Sequence, residues 1–187
     1  RIDMKRMILT LLVGLMTLST YAQDLPRPSP LGTSTQIVGV TEVALEYSRP
    51  GVKDRDIFGG LVPYGELWRF GANSCTKFST STLLMFGDNK LAPGTYAVFA
   101  IPGENGTWEF AFNTDTEQGG TASYSEEKDV FRIQAKAVVN SFTETFTLGI
   151  DNVKKGSADF VMLWENLKVA IPFTVDTDKA AVANIEA

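Results

Sequence analysis

Apolar residues recur at every second position along most of this chain, and that period commits it to β-structure. In the stretch Thr41 to Ser48, Val43, Leu45 and Tyr47 alternate with Glu42, Ala44, Glu46 and Ser48, the pattern of a strand with one buried face. On a helix the same residues would scatter around the axis. The alternation returns with Phe78, Thr80, Thr82, Leu84 and Phe86 on one face, then with Trp108, Phe110 and Phe112, and then from Phe131 through Ile133 to Val139. Phe146, Leu148 and Ile150, then Phe160, Met162 and Trp164, then Val169, Ile171, Phe173 and Val175 complete the series.

Turn signals separate these runs: Gly87-Asp88-Asn89, Pro93-Gly94, Pro102 to Gly106, and Asn152 to Ser157. Strands joined by short turns pair antiparallel. Tyr96 to Ile101 is apolar on both faces, as in a strand covered by a second layer. The fold class is therefore all-β: an antiparallel β-sandwich or flattened barrel of about 8–10 strands. Helix is expected only at the two ends. A signal helix lies at the N-terminus, and a short helix over Thr177 to Glu186 is capped by Asp176 or Thr177.

At the N-terminus, Arg1, Lys5 and Arg6 precede the apolar run Met7 to Ser19, which is too short to span a bilayer comfortably. Thr20-Tyr21-Ala22 then offers small residues at the two positions a signal peptidase reads. The expectation is an exported protein, periplasmic or extracellular, cleaved between Ala22 and Gln23, with no stable membrane span afterwards. The organisation that follows is a signal peptide at 1–22, a Pro/Ser-rich leader at 23–34, one β-sandwich domain at 35–176 and a C-terminal helix or tail at 177–187.

Charge and missing residue types narrow the chemistry. The full chain carries 17 Lys and Arg against 22 Asp and Glu, and loss of Arg1, Lys5, Arg6 and Asp3 with the leader leaves 14 against 21, a net charge of −7. Such a balance gives nucleic acid no electrostatic footing. Histidine is absent altogether, which removes Ser-His-Asp and Cys-His catalysis, imidazole acid/base chemistry and His-containing zinc sites. Cys75 is the one cysteine, so no intrachain disulfide can form. Outside the cytoplasm, ATP and nicotinamide cofactors are scarce, and no P-loop, GxGxxG or CxxC pattern occurs; no cofactor is expected.

One segment, Tyr47 to Thr76, breaks the period of two and is chemically dense. It sets Arg49, Lys53, Arg55 and Arg69 beside Asp54, Asp56 and Glu66, with Tyr64, Trp68 and Asn73 between them and Gly or Pro throughout. Two readings are open. The arginines converge on an anion, since guanidinium forks match carboxylate and phosphate, with Trp68 and Tyr64 as a flat wall. Alternatively they pair with the local acids and merely tie down an irregular loop. The candidate ligand-binding set is Arg49, Lys53, Arg55, Tyr64, Trp68, Arg69 and Asn73, facing a small molecule, a saccharide or another envelope partner. If the chain were an enzyme, Glu66 would serve as acid or base with Arg69 orienting the substrate, a carboxylate hydrolase. A third possibility is a structural or assembly partner with an exposed apolar patch. The long polar stretch Asn113 to Lys128 is expected to be a mobile surface loop; its acids could ligate calcium, but without EF-hand spacing.

The motifs Tyr47-Ser48-Arg49-Pro50, Val52-Lys53, Ile57-Phe58-Gly59, Leu61-Val62-Pro63-Tyr64-Gly65, Trp68-Arg69 and Gly71-Ala72-Asn73 resemble a secreted bacterial family, domain of unknown function 2911. Leu91 with Pro93-Gly94-Thr95-Tyr96, and Phe99 with Ile101-Pro102-Gly103, fit the same pattern, so the resemblance runs from Pro26 to about Val175. It implies an exported, mostly β protein of Gram-negative bacteria with no agreed activity. The chain departs from the pattern at Asp54, where a Gly is expected, and at Phe70, Ser74 and Gly119.

Overall fold

A computed structural model describes residues 25–186; the expected signal peptide at 1–22 lies outside the described residues. The elements are β1 (Leu31–Val38), β2 (Thr41–Ser48), β3 (Thr76–Thr80), β4 (Leu84–Phe86), β5 (Asn89–Leu91), β6 (Gly94–Ile101), β7 (Thr107–Asn113), β8 (Asp129–Lys154), β9 (Ser157–Val175) and α1 (Thr177–Glu186), with a single 3₁₀ turn at Glu126–Lys128. The nine strands form one antiparallel sheet in the order β1-β2-β3-β6-β7-β8-β9-β4-β5. It does not close, because β1 and β5 remain its edges.

The sheet folds back on itself through β8. The first part of β8 pairs with β7, from Lys136 opposite Thr107 to Asp129 opposite Asn113, and its second part pairs with β9 from Ala137 onward. One strand thus passes from one layer to the other, and the inner faces of the layers meet. Phe78 of β3 lies 5.2 Å from Phe160 of β9, and the Tyr47 hydroxyl of β2 donates to the Leu148 carbonyl of β8 at 2.9 Å. The largest fully buried side chains are almost all Phe or Trp. Each contributes roughly 1.5–3 kcal/mol by leaving water, and edge-to-face contacts add about 0.5–1.5 kcal/mol per pair.

Several sequence boundaries change. The alternation over Phe78 to Phe86 is two strands in different layers, because the chain turns at Ser81 to Leu83, where Thr80 Oγ1 donates to the Thr82 carbonyl at 2.8 Å. Phe78 and Phe86 still share a face because both reach the common core, 5.9 Å apart. Conversely, the runs before and after Asn140 to Thr145 are one 26-residue strand, and those around Glu165 one 19-residue strand. Those linkers hold no Gly or Pro, so the ladder continues through shifts of register at Val139/Thr143 and Thr143/Thr147. The leader is shorter than expected, since β1 begins at Leu31 and pairs with β2 along its whole length. Helix α1 matches its expected span, and Asp176 is its cap, accepting from the Lys179 N–H at 3.0 Å. No helix among the described residues is long and apolar enough to cross a membrane.

Candidate functional site

The segment between β2 and β3 wraps one end of the sandwich and is held in its shape by backbone hydrogen bonds. Val62 N–H donates to the Ile57 carbonyl at 2.8 Å, and Trp68 and Ala100 exchange bonds of 2.8 and 2.9 Å, which docks the segment beyond the end of β3 on β6. Four residues here other than glycine have positive φ: Lys53 (50°), Asp54 (54°), Phe70 (51°) and Asn73 (58°). Left-handed backbone at non-glycine residues is uncommon and gathers where a surrounding structure imposes it, functional sites included. For Phe70 the imposing structure is its ring, buried edge-on against Phe110, Phe146 and Phe160. Asp54 is of a residue type that enters the left-handed region more readily than most, and it is exposed.

A cleft of about 240 Å³ lies where this segment meets β9, lined by Arg55, Trp68, Arg69 and Asn73 of the segment and by Trp164 of β9. Carbonyls orient both guanidinium groups. Arg55 donates from Nε to Val52 at 3.0 Å and from Nη2 to Gly51 at 2.6 Å, while Arg69 donates from Nη1 to Asn73 at 2.8 Å and to Gly119 at 3.0 Å. A carbonyl fixes a guanidinium without cancelling its charge, and each fork keeps further N–H donors. Among the described residues neither arginine has a carboxylate partner, whereas Lys77, Lys128 and Arg132 do. Asp54, Asp56 and Glu66 are exposed and form no ion pair among the described residues. The loop is therefore tied by carbonyls rather than by the Arg–acid pairing that was the alternative expectation.

Trp68 and Trp164 stack at 5.8 Å with planes 19° apart. Trp68 donates from Nε1 to the Gly71 carbonyl at 3.0 Å, but Trp164 Nε1 is buried without a hydrogen-bond partner among the described residues. Trp164 follows the alternation of β9, so nothing in the sequence distinguishes it from core. The signal lies one residue later: Glu165 has φ 54° and sits opposite Thr143, where the β8/β9 register slips.

Of the seven residues expected to bind, Arg55, Trp68, Arg69 and Asn73 line the cleft. Asn73 serves as a support, its Nδ2 donating to Ser29 and Ser48 at 3.1 Å. Arg49 is spent elsewhere, donating to the Phe146 carbonyl at 3.2 Å and to Thr147 Oγ1 at 2.9 Å. Lys53 reaches the leader carbonyl of Pro28 at 3.4 Å, and Tyr64 covers Gly59, where an added Cβ would come within 2.9 Å of its ring. Glu66 does not line the cleft. A larger hollow of about 850 Å³ lies around the Pro102 to Asn105 turn. Its Glu109 is engaged by Arg132 at 2.8 Å, and it gathers no unpaired cation, so the smaller cleft is the better candidate.

The stretch Asn113 to Lys128 is not a loose loop but a lid on the outer face of β3, β6 and β7. Cys75 N–H donates to the Gln118 carbonyl at 3.0 Å, Arg69 grips Gly119, and the Tyr124 ring packs on Phe99 at 4.9 Å. Burial, followed by the bond to Asp129, pushes the Tyr124 phenol up to about 12. Burial also raises the Cys75 thiol, which donates to the Thr116 carbonyl at 3.4 Å and is held as a neutral thiol. The Lys128 ammonium, 2.7 Å away, lowers the Asp115 carboxyl. Among the described residues no three acids or thiols gather as a metal site.

An antiparallel β-sandwich module with a cleft lined by two arginines and two tryptophans is the class that fold and site define. The chain belongs to the family described as Protein of unknown function (DUF2911), whose model matches residues 29–173. No curated protein and no solved structure matches it.

Proposed function

We propose that this chain is a non-catalytic, exported binding module that captures a small organic anion between Arg55 and Arg69. The observation that carries the reading is the pair of guanidinium groups at one cleft, oriented by carbonyls and left without carboxylate partners among the described residues. Preoriented by carbonyls, such forks bind carboxylate or phosphate more strongly than flexible surface cations do. The cleft is smaller than the roughly 300–1,000 Å³ of sites for drug-sized molecules, so the ligand is compact. A hydrolase reading lacks support, because Glu66 is exposed and outside the cleft.

The test is tryptophan fluorescence of the mature chain titrated with sodium acetate, sodium phosphate and sodium glucuronate, alongside Arg55→Ala and Arg69→Ala. Saturable quenching that either variant weakens about tenfold or more agrees with loss of a charge-assisted contact worth about 1.5–3 kcal/mol. Equal responses from all three proteins would remove the cleft from consideration.

A specific observation also favours an assembly role. Val138, Val139 and Phe142 are 53%, 86% and 58% exposed where β8 slips register, and apolar side chains exposed together mark contact surfaces. Sedimentation velocity checks it: self-association that Val139→Asp abolishes supports assembly, and a monomer at all concentrations removes self-association.

A further inference from the structure

Resting on the anion-binding reading above, we infer that residues 119–123 are a strap coupled to the cleft through Arg69: the strap positions the guanidinium for an anion, and a bound anion steadies the strap. The argument starts from how little else holds this segment. Its sequence is Gly-Gly-Thr-Ala-Ser, exposed except at half-buried Gly120. The chain is well anchored on either side, where the Gln118 carbonyl accepts from the Cys75 N–H at 3.0 Å and the Tyr124 ring packs on Phe99 at 4.9 Å. Between these posts Tyr124 N–H closes a turn on the Thr121 carbonyl at 3.2 Å. Among the described residues the strap has one further hydrogen bond, from Arg69 Nη1 to the Gly119 carbonyl at 3.0 Å. A segment with so few bonds opens more readily than the strands beneath it.

Arg69 serves strap and cleft with different atoms. Nη1 donates to Asn73 at 2.8 Å and to Gly119 at 3.0 Å, so both of its N–H groups are taken. Nε and Nη2 have no partner among the described residues, and together they form an edge that matches a carboxylate or phosphate bidentately. Ligand and strap therefore hold one guanidinium without competing for donors. A long side chain loses rotamer freedom when it is fixed, and whichever partner fixes it spares the other that loss. Linkage makes the effect mutual, since the factor by which the strap tightens the anion is the factor by which the anion tightens the strap. Gly120 gives access to this coupling. A Cβ there would lie 3.7 Å from Arg69 Nη1, an ordinary contact, and no other residue comes nearer.

The experiment is amide hydrogen exchange of the mature chain with and without sodium glucuronate or sodium phosphate, beside anion titrations of Gly120→Asp and Gly120→Asn followed by tryptophan fluorescence. A bound anion should slow exchange over residues 119–124 by about tenfold, the size of one charge-assisted hydrogen bond, while the turn at 103–106 exchanges as before. Gly120→Asp sets a carboxylate beside Arg69 and should weaken anion binding about tenfold or more. The neutral Gly120→Asn should bind as the unaltered protein does, a difference that a merely structural strap would not produce. If neither variant folds, exchange in the unaltered protein decides. Binding that quenches fluorescence and is weakened by Arg55→Ala, with strap exchange unchanged and Gly120→Asp binding normally, overturns the coupling and leaves the anion cleft standing. No binding by either anion overturns both.

Discussion

Arg49 and Arg69 carry the same charge in the same segment, yet one is a structural brace and the other lines the cleft. The difference is made by partners far away in sequence: Arg49 bonds to Phe146 and Thr147 on β8, while Arg69 is steadied by Asn73 and Gly119. Local composition could mark the arginines as candidates, and did so for Arg55 and Arg69, but it could not sort them. Trp164 was illegible for the opposite reason, since its alternation along β9 is that of an ordinary core residue. Backbone strain permits a first prediction. Asp54 is exposed at φ 54°, so Asp54→Gly relieves the left-handed backbone, partly offset by added chain entropy, and raises stability by about 0.5 kcal/mol in urea denaturation. Tyr124 gives a second. Burial holds its folded pKa at about 12, above the ordinary phenol value of about 10, so the folded state holds its proton where the unfolded state has released it. Its contribution is complete below about pH 10 and is lost as pH rises through about 12. Tyr124→Phe should flatten that part of the stability profile relative to wild type; an unchanged slope would reject the assignment.

At the scale of elements, the period of two announced the strands and the Gly/Pro clusters announced the turns. What the period could not show was continuity. Asn140 to Thr145 is polar and reads as a break, but without Gly or Pro the ladder runs on through irregular register, producing the strand that joins both layers. The Ser81 to Leu83 stretch keeps the period while the chain changes layer. The leader boundary supplies a prediction. Residues 31–34 pair with 45–48, and Arg49 N–H donates to the Pro30 carbonyl at 2.9 Å. A chain beginning at Thr35 should lose about 2–4 kcal/mol against one beginning at Gln23, given about 0.5–1.5 kcal/mol net for each hydrogen bond removed. Equal urea midpoints for the two chains would show that the first half of β1 contributes nothing.

For the whole molecule, the sandwich was legible because most strands carry one apolar face to bury, and two layers sharing a core are how nine short and long strands can do so. The cleft was legible only in outline. The sequence located its loop, while Trp164 reaches the cleft from β9, in the opposite layer. Export is a separate proposal with its own check: expressed in full in a Gram-negative host, the protein should appear in the periplasmic fraction with Gln23 as its first residue by intact mass, and retention of residues 1–22 would contradict it. The most direct measurement of the central claim is a crystal structure of the chain from Gln23 grown with sodium glucuronate. The account predicts a carboxylate bridging Arg55 and Arg69 at about 2.7–2.9 Å from their nitrogens. Guanidinium groups turned instead onto Asp54, Asp56 or Glu66, with no anion between them, would contradict it.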